Sequence, residues 1–325
     1  MRTSGLVSEP VPLLHVGYLK TGTTWLQRHL FRSSGLPFRR ADRRSVNEIF
    51  VRPNPLDFSA GAAREALGPF LRQAAVDGAV PVLSQERLSG GLSIGGWDAR
   101  EIGCRLAATL PGARVLIVVR EQMSMILSSY KQYARTGGVM SLRRMLRPTR
   151  RVRSTPQFNV KHFEYDRLIG HYRSLFGPER VLVLAFEQLR QDRDLFVARI
   201  CRFCGVEAPA IEGGGARANA SLSGPVLAVK RWFNLLFVTG PQNPGCLIPV
   251  GENRVLTGAF GLADRLVPGF VRRWSDRRML RSVRAAAGDC FRESNARTAE
   301  MTGLDLAGYG YDMPKGSPSE GAPQS

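Results

Sequence analysis

The residues best suited to chemistry lie near the start of the chain, in His15-Val-Gly-Tyr-Leu-Lys-Thr-Gly-Thr-Thr-Trp25. An apolar run precedes the glycines, and a helical pattern of apolar residues begins at Thr23. A glycine-containing turn between a strand and a helix presents backbone N–H groups and the positive end of the helix dipole to an anion. The stretch therefore predicts a phosphate-binding loop, with Lys20 as its cation and Thr23 and Thr24 as donors. The alternative is an ordinary strand–turn–helix corner whose lysine is solvated.

The position of the lysine distinguishes this loop from the nucleoside triphosphate loop G-x-x-x-x-G-K-[ST]. Gly17 and Gly22 have the spacing of that loop, but Thr23 stands where the lysine is required. The lysine of this chain lies three residues earlier, at Lys20, so its ammonium would reach other phosphate oxygens than the lysine of the triphosphate loop does. This arrangement favours a single 5′-phosphate held without a metal ion over a triphosphate held with Mg²⁺.

A second anion-binding pattern follows the apolar run at 115–119. Arg120 ends this run, Ser128 follows after seven further residues, and Tyr130 lies two residues beyond. An arginine at the carboxyl end of a strand can place its planar guanidinium on a phosphate. Ser128 lies about two turns into the following helix and can add a hydroxyl donor. Two such patterns, each at a strand-to-helix junction, form a joint signal for an anionic ligand.

The two patterns together resemble the sulfotransferases that use 3′-phosphoadenylyl sulfate (PAPS), with bacterial members as the nearest type. In that family the loop reads K-[ST]-G-T-T, often followed by Trp, as in Lys20-Thr21-Gly22-Thr23-Thr24-Trp25 here. The family's second motif is a strand ending in Arg, followed by seven residues and a Ser. The resemblance implies a P-loop-like α/β fold and PAPS as sulfuryl donor, with no metal.

The resemblance also implies residue roles. Lys20 would contact the oxygen that bridges phosphate and sulfur, and Thr23 and Thr24 would hold the 5′-phosphate. Trp25 would stack on adenine. Arg120 and Ser128 would bind the 3′-phosphate.

Weaker similarities extend the match from about residue 15 to residue 312. They comprise the strand ending at Glu187, Phe203-Cys-Gly-Val206, Ser294-Asn-Ala-Arg297 and Gly310-Tyr311. The R-K-G element of the cytosolic animal enzymes has no counterpart in this sequence. Arg217-Ala-Asn-Ala-Ser221 is the candidate replacement for closing over the nucleotide.

Transfer of a sulfuryl group to an alcohol needs a base for the acceptor hydroxyl. Glu86 is the candidate, because it follows a buried strand and should face the crevice that holds Lys20. The structural alternatives are an ion pair between Glu86 and Arg87, or a role of Glu86 in capping a turn. His162 and His29 are rival bases. Two further residues are expected to be structural: His15 as a satisfied core histidine, and Glu187 as a support for the loop of Arg120.

The charge balance indicates an anionic ligand. The chain has 46 Lys and Arg against 27 Asp and Glu, a net charge of +19, and Arg is concentrated at 143–153.

An apolar content of 43% excludes a disordered protein. The five Cys are too few for a disulfide scaffold; Cys201-x-x-Cys204 has helical spacing, and we predict no metal site. No apolar run is long enough to span a membrane and no secretion signal is evident, so a cytoplasmic protein is expected.

The remaining pattern predicts the fold. Apolar runs at 12–16, 79–83, 114–119 and 180–185 read as buried parallel strands. Helical patterns cover 23–32, 60–75, 98–110, 122–135, 163–176, 192–204, 271–287 and 290–301. This alternation predicts an α/β three-layer sandwich with a central parallel sheet of four to five strands. We expect one domain over 10–313, a long, partly irregular connection at 217–258 and a disordered tail over 314–325.

Two other functions stay open at this stage. A P-loop kinase or NTPase would need Mg²⁺ and a strand-end acid, for which Glu86 and Glu187 are available. A non-catalytic basic protein would bind an acidic polymer through Arg143–Arg153 and Arg272–Arg284; nucleic acid is not expected. For the enzyme, the acceptor is a hydroxyl compound, for instance a glycan or an anionic molecule. Peripheral contact with a membrane surface also stays open.

Overall fold

The computed structural model describes residues 10–31, 37–147, 157–211, 222–238, 243, 246 and 254–315. Within them, five strands form one sheet in the order β2-β3-β1-β4-β5, and every neighbouring pair is parallel. The strands are β1 (Leu13–His15), β2 (Phe38–Arg40), β3 (Val80–Ser84), β4 (Arg114–Val119) and β5 (Val181–Ala185). The predicted parallel α/β sheet is confirmed.

Helices cover both faces of the sheet, as the side chains of β4 show. Val115, Ile117 and Val119 enter one apolar cluster, whereas Leu116 and Val118 enter a second cluster on the opposite face. This alternation follows from the period of two along a strand. The predicted three-layer arrangement is therefore confirmed.

Thirteen α-helices lie in the part of the chain that the structure describes. They are α1 (Thr23–His29), α2 (Arg43–Val46), α3 (Ala60–Val76), α4 (Ala99–Thr109), α5 (Gln122–Arg135), α6 (Leu142–Leu146), α7 (Tyr165–Phe176), α8 (Phe186–Gln191), α9 (Arg193–Cys204), α10 (Gly224–Phe237), α11 (Arg254–Arg265), α12 (Gly269–Ala287) and α13 (Arg292–Thr302). A π-helical turn, Asn47–Val51, extends α2, and a 3₁₀ helix, Glu86–Ser89, follows β3.

Several elements were missing from the sequence-based expectations. The edge strand β2 was missed, because Phe38-Arg-Arg40 lacks the continuous apolar run of the buried strands. The segment 217–258, expected to be partly irregular, contains α10 and the start of α11. Val226, Leu227, Lys230 and Asn234 form the buried face of α10 at helical spacing, but the interrupting Lys230 and Arg231 obscured that pattern.

The order of the strands determines where the ligand-binding crevice of the sheet lies. After β1 the chain continues to β2 and β3 on one side, and after β4 it continues to β5 on the other. Because β1 and β4 are neighbours in the sheet, the connections that follow them start side by side and run in opposite directions. In open parallel sheets this reversal is where ligands bind. Both sequence motifs lie here.

The single-domain expectation stays a prediction, and the tail from residue 316 onward lies outside the described residues. Within the described residues, no helix is both long and apolar enough to cross a bilayer. Cys201 and Cys204 are both buried in the second apolar cluster, on one face of α9. No group of three or more His, Cys, Asp or Glu side chains suited to a metal ion occurs in the described part.

Candidate active site

The loop after β1 has the backbone of an anion-binding turn. Thr21 Oγ1 donates to the carbonyl oxygen of Tyr18 at 2.7 Å and so closes the turn. Lys20 has φ 67° and Gly22 has φ 86°, both in the left-handed region. No side chain caps the N-terminus of α1 at Thr23. The first N–H groups of α1 thus lack a side-chain acceptor, as is typical of a helix start that binds an anion.

Gly22 is required by the geometry of this turn. A Cβ atom at Gly22 would lie 2.7 Å from Leu189 Cδ2, in addition to the strain of a positive φ. We expect Gly22→Ala to lower the free energy of unfolding by about 1–3 kcal/mol, measured by urea denaturation. Gly78→Ala is the matched control, because Gly78 has φ 63° but no atom within 4 Å of the added Cβ. A smaller loss for Gly22→Ala than for Gly78→Ala would contradict the steric reason.

Two buried polar atoms near the loop lack a partner. Thr23 Oγ1 and His15 Nε2 are both buried and make no hydrogen bond to a described residue. They lie 3.0 and 3.1 Å from the position that a Cβ of Gly17 would take. A buried hydroxyl without a partner is costly unless a ligand or water satisfies it. Thr23 Oγ1 is therefore suited to donate to a bound phosphate.

His15 differs in part from its prediction. It is fully buried, and its Nδ1 bonds Ser84 Oγ at 2.8 Å, as expected of a core histidine. Its Nε2 has no hydrogen-bond partner in the described part of the chain, so the ring is only half satisfied there. Burial lowers the pKa of His15 to about 3, so the ring is neutral at physiological pH.

Arg120 reaches the first motif from the end of β4. Its Nη1 donates to the carbonyl oxygen of Lys20 at 2.9 Å, although the two residues are 100 positions apart. Its guanidinium also lies 4.9 Å from the centre of the Phe186 ring. The two motifs that sequence reasoning singled out therefore meet in one crevice.

The backbone around Arg120 is held by side chains from distant elements. Glu121 N–H donates to Glu187 Oε1 at 3.1 Å, and Tyr311 O–H donates to Glu187 Oε2 at 3.2 Å. Tyr165 O–H donates to the carbonyl oxygen of Arg120. The predicted role of Glu187 as a support for this loop is confirmed. Burial raises the pKa of Glu187, and its hydrogen bonds and the Arg120 charge oppose that rise.

Glu86 lies in the same crevice. It is the first residue of the 3₁₀ helix after β3, and Ser89 Oγ of that helix donates to the carbonyl oxygen of Gly17 at 3.3 Å. Burial raises the pKa of Glu86, against the opposing charges of Arg43 and Lys20. Arg43 Nη2 lies 3.9 Å from Glu86 Oε2. A carboxyl with a raised pKa beside a cation is suited to general base catalysis.

The expected ion pair between Glu86 and Arg87 is not the one that forms. Arg87 forms its ion pair with Asp98, at 2.6 Å, and Glu86 pairs with Arg43. Sequence reasoning missed Arg43 because α2 packs here only once the unrecognised strand β2 is in place. Arg87, which follows Glu86 in the sequence, is thus not its ion-pair partner.

Lys20 is the cation of the crevice. Burial is the largest cause that lowers its pKa, followed by the positive charge of Arg135, whereas Glu86 raises it. The charge of Lys20 is therefore only partly compensated by the protein, which favours an anionic ligand beside it.

The two rival bases have different surroundings. His162 packs on Tyr18 with ring centroids 5.2 Å apart, and burial lowers its pKa to about 4. His29 lies on α1 and stacks on Trp25 at 5.2 Å. In the described structure, neither forms a hydrogen bond or an ion pair with Lys20 or Glu86.

The remaining predicted residues lie on the two helices that begin at the crevice. Thr24 is exposed at the N-terminus of α1, and Trp25 is half-buried against the second apolar cluster. Ser128 is half-buried on α5, about 9 Å along the axis from its start. The candidate closing segment, 217–221, and most of the basic stretch, 148–156, lie outside the described residues.

Comparison with known proteins gives a family match. Residues 103–210 match the model of the sulfotransferase family, and no curated protein matches the chain. The matched segment contains Arg120, Ser128 and Glu187, whereas Lys20 and Glu86 precede it.

Three solved structures are similar to this chain at low identity. A sulfotransferase from Alicyclobacillus acidocaldarius is 19% identical, with 69% of this chain and 92% of that chain covered and a TM-score of 0.47. The sulfotransferase domain of the curacin biosynthetic pathway is 13% identical, with 94% of this chain and 99% of that domain covered and a TM-score of 0.46. The sulfotransferase domain of the Synechococcus PCC 7002 olefin synthase is 12% identical, with 80% of this chain and 95% of that domain covered and a TM-score of 0.37. The match over residues 103–210, about a third of the chain, agrees with the resemblance to sulfotransferases found in the sequence.

Proposed function

We propose that the protein moves a sulfuryl group from PAPS to a hydroxyl of a carbohydrate or other small acceptor. The observation that carries the proposal is the hydrogen bond from Arg120 to the Lys20 carbonyl, at 2.9 Å. It joins the predicted 3′-phosphate site to the predicted 5′-phosphate loop. A nucleotide with phosphates at both positions would contact both motifs.

The residues present fit a 5′-phosphate at the start of α1. Backbone N–H groups, the hydroxyls of Thr23 and Thr24, and the ammonium of Lys20 would bind it. The buried Thr23 Oγ1 has no other partner among the described residues. Thr21 and Gly22 shape the turn. Arg120 and Ser128 would hold the 3′-phosphate, and Trp25 would lie against adenine. PAPS supplies an activated sulfuryl group, and nothing in this arrangement requires a metal ion.

The transfer step is an in-line displacement at sulfur. The acceptor oxygen forms a bond to sulfur while the bond from sulfur to the bridging phosphate oxygen breaks. The acceptor proton passes to the Glu86 carboxylate, and Lys20 stabilises the negative charge that develops on the leaving phosphate. Holding acceptor and donor in line removes much of the entropic barrier.

Calorimetric titration tests the donor. We expect adenosine 3′,5′-bisphosphate to bind in the presence of EDTA, and adenosine 5′-monophosphate, which lacks the 3′-phosphate, to bind far more weakly. Preferential binding of ATP–Mg²⁺ would instead support a kinase or NTPase, and binding of duplex DNA alone would support a non-catalytic basic protein. Labelled PAPS incubated with fractionated small molecules would then identify the acceptor class.

A further inference from the structure

Helices α10, α11 and α12 form a packed unit beside α5, which we call the helical lobe. The Phe233 and Phe260 rings lie 5.6 Å apart, and Asp264 accepts from Ser223 N–H at 2.7 Å and pairs with Arg272 at 2.9 Å. Lys131 of α5 pairs with Asp276 of α12 at 2.7 Å. The lobe thus has its own apolar interior and a fixed attachment to α5.

The outer surface of the lobe is unusually apolar. Of the twelve exposed large apolar side chains among the described residues, seven lie between residues 229 and 274. The largest are Trp232, Phe270 and Trp274, which are 67%, 69% and 56% exposed, and Leu262 and Leu266 are exposed with them. Single exposed apolar residues need no explanation, but a concentration of them marks an interaction site.

One helix of the lobe, α12, also carries uncompensated positive charge. Helix α12 contains six Arg and a single acid, Asp276, which is already paired with Lys131. An open groove of about 570 Å³ runs along α12 between Phe270, Trp274 and Leu280 and four arginines: Arg273, Arg277, Arg281 and Arg284. Arg272 is paired with Asp264, whereas these four form no ion pair with a described residue.

We propose that the outer face of the helical lobe docks on an anionic lipid bilayer, with α12 lying in the interface. Arg side chains pair with lipid phosphates, while Trp and Phe enter the boundary between headgroups and acyl chains. The groove alternates these two side-chain types along one helix face, and its charge is complementary to the anionic surface. The exposed Leu262 and Leu266 favour a bilayer over a nucleic acid, because aliphatic side chains provide no stacking platform for bases.

Vesicle co-sedimentation tests this docking without relying on the enzymatic proposal. We expect the protein to sediment with vesicles of phosphatidylcholine mixed with phosphatidylglycerol, and far less with phosphatidylcholine alone. Phe270→Ala/Trp274→Ala should weaken binding roughly tenfold for each aromatic side chain. Arg277→Gln/Arg281→Gln should weaken it about fivefold for each charge. All four side chains line an open groove, and thermal melting by circular dichroism verifies that the variants fold.

Trp97→Ala is the matched control, because Trp97 is 77% exposed but lies outside the lobe. It should bind the mixed vesicles as the unchanged protein does. The proposal is overturned if the mixed vesicles fail to bind, or if Phe270→Ala/Trp274→Ala binds them normally. Loss of binding through the arginine variant alone, with heparin or duplex DNA as effective competitors, would identify a polyanion surface instead.

Discussion

Replacing Arg120 by alanine is expected to weaken binding of adenosine 3′,5′-bisphosphate by between about 30-fold and several thousand-fold. Truncating one partner of a desolvated charge pair costs about 2–5 kcal/mol. Arg120 also donates to the Lys20 carbonyl, so its loss should disturb the 5′-phosphate loop as well. Transfer from PAPS should fall in parallel, and calorimetry together with a labelled-donor assay measures both effects.

The chain offers a matched control on the same strand. Arg114 begins β4 and Arg120 follows its end, so the two arginines lie about 20 Å apart. Arg114 donates to the Cys204 carbonyl at 3.2 Å, away from the crevice. Arg114→Ala should leave bisphosphate affinity unchanged. Equal losses for both variants would show that general positive charge, and not the position of Arg120, governs binding.

Conservative replacement separates charge from shape. Arg120→Lys keeps the positive charge but loses the planar fork that binds two phosphate oxygens. We expect it to recover only part of the affinity lost in Arg120→Ala. Full recovery would contradict a two-point contact with the 3′-phosphate.

The second large effect is expected for Glu86→Gln. If Glu86 removes the acceptor proton, kcat should fall by about 10²–10⁴-fold, while bisphosphate affinity should change little. Glutamine keeps the size of the side chain and cannot accept the proton. Steady-state kinetics and calorimetry on the same preparation measure the two quantities.

The pH profile identifies the base independently. Burial raises the pKa of Glu86 above its ordinary value of 4.5, so kcat/KM should decline on the acid side at a pH above 4.5. Burial lowers the pKa of His162 to about 4. An acid-side decline near pH 4 that persists in Glu86→Gln would therefore assign the base to His162 and overturn the role of Glu86.

The free energy of unfolding should also depend on pH because the pKa of Glu86 is raised in the folded protein. Because the folded-state pKa of Glu86 is raised, the folded protein keeps this proton to a higher pH than the unfolded chain does. The contribution of Glu86 to stability is thus present below the unfolded pKa and is lost as pH rises through the folded pKa. Glu86→Gln removes this loss, so its free energy of unfolding should decline less between acidic and neutral pH. Urea denaturation at both pH values checks the sign.

Local pattern was enough to predict much of the sheet and both motifs. Strands β1, β3, β4 and β5 are short apolar runs that a parallel sheet buries on both faces. The loop around Lys20 was predictable because its glycine and threonine spacing acts within a few residues. The family resemblance, based on that loop and Arg120, agrees with the match over residues 103–210.

The partners of the site residues depend on contacts between distant parts of the chain. Glu86 pairs with Arg43 across the unrecognised β2 region, and Tyr311 reaches Glu187 from 124 positions away. No local periodicity encodes either contact. The same holds for His15, whose core position was predicted but whose unpartnered Nε2 depends on how Gly17 and Thr23 pack.

The sequence by itself determined the candidate site residues and the four buried strands that position them, because apolar period and loop spacing are local properties. Only the tertiary structure decided that Lys20, Glu86 and Arg120 share one crevice, which charges compensate them, and that the apolar and basic residues of α12 share an open face. Those outcomes arise from the strand order and from side-chain packing, where residues about a hundred positions apart become neighbours.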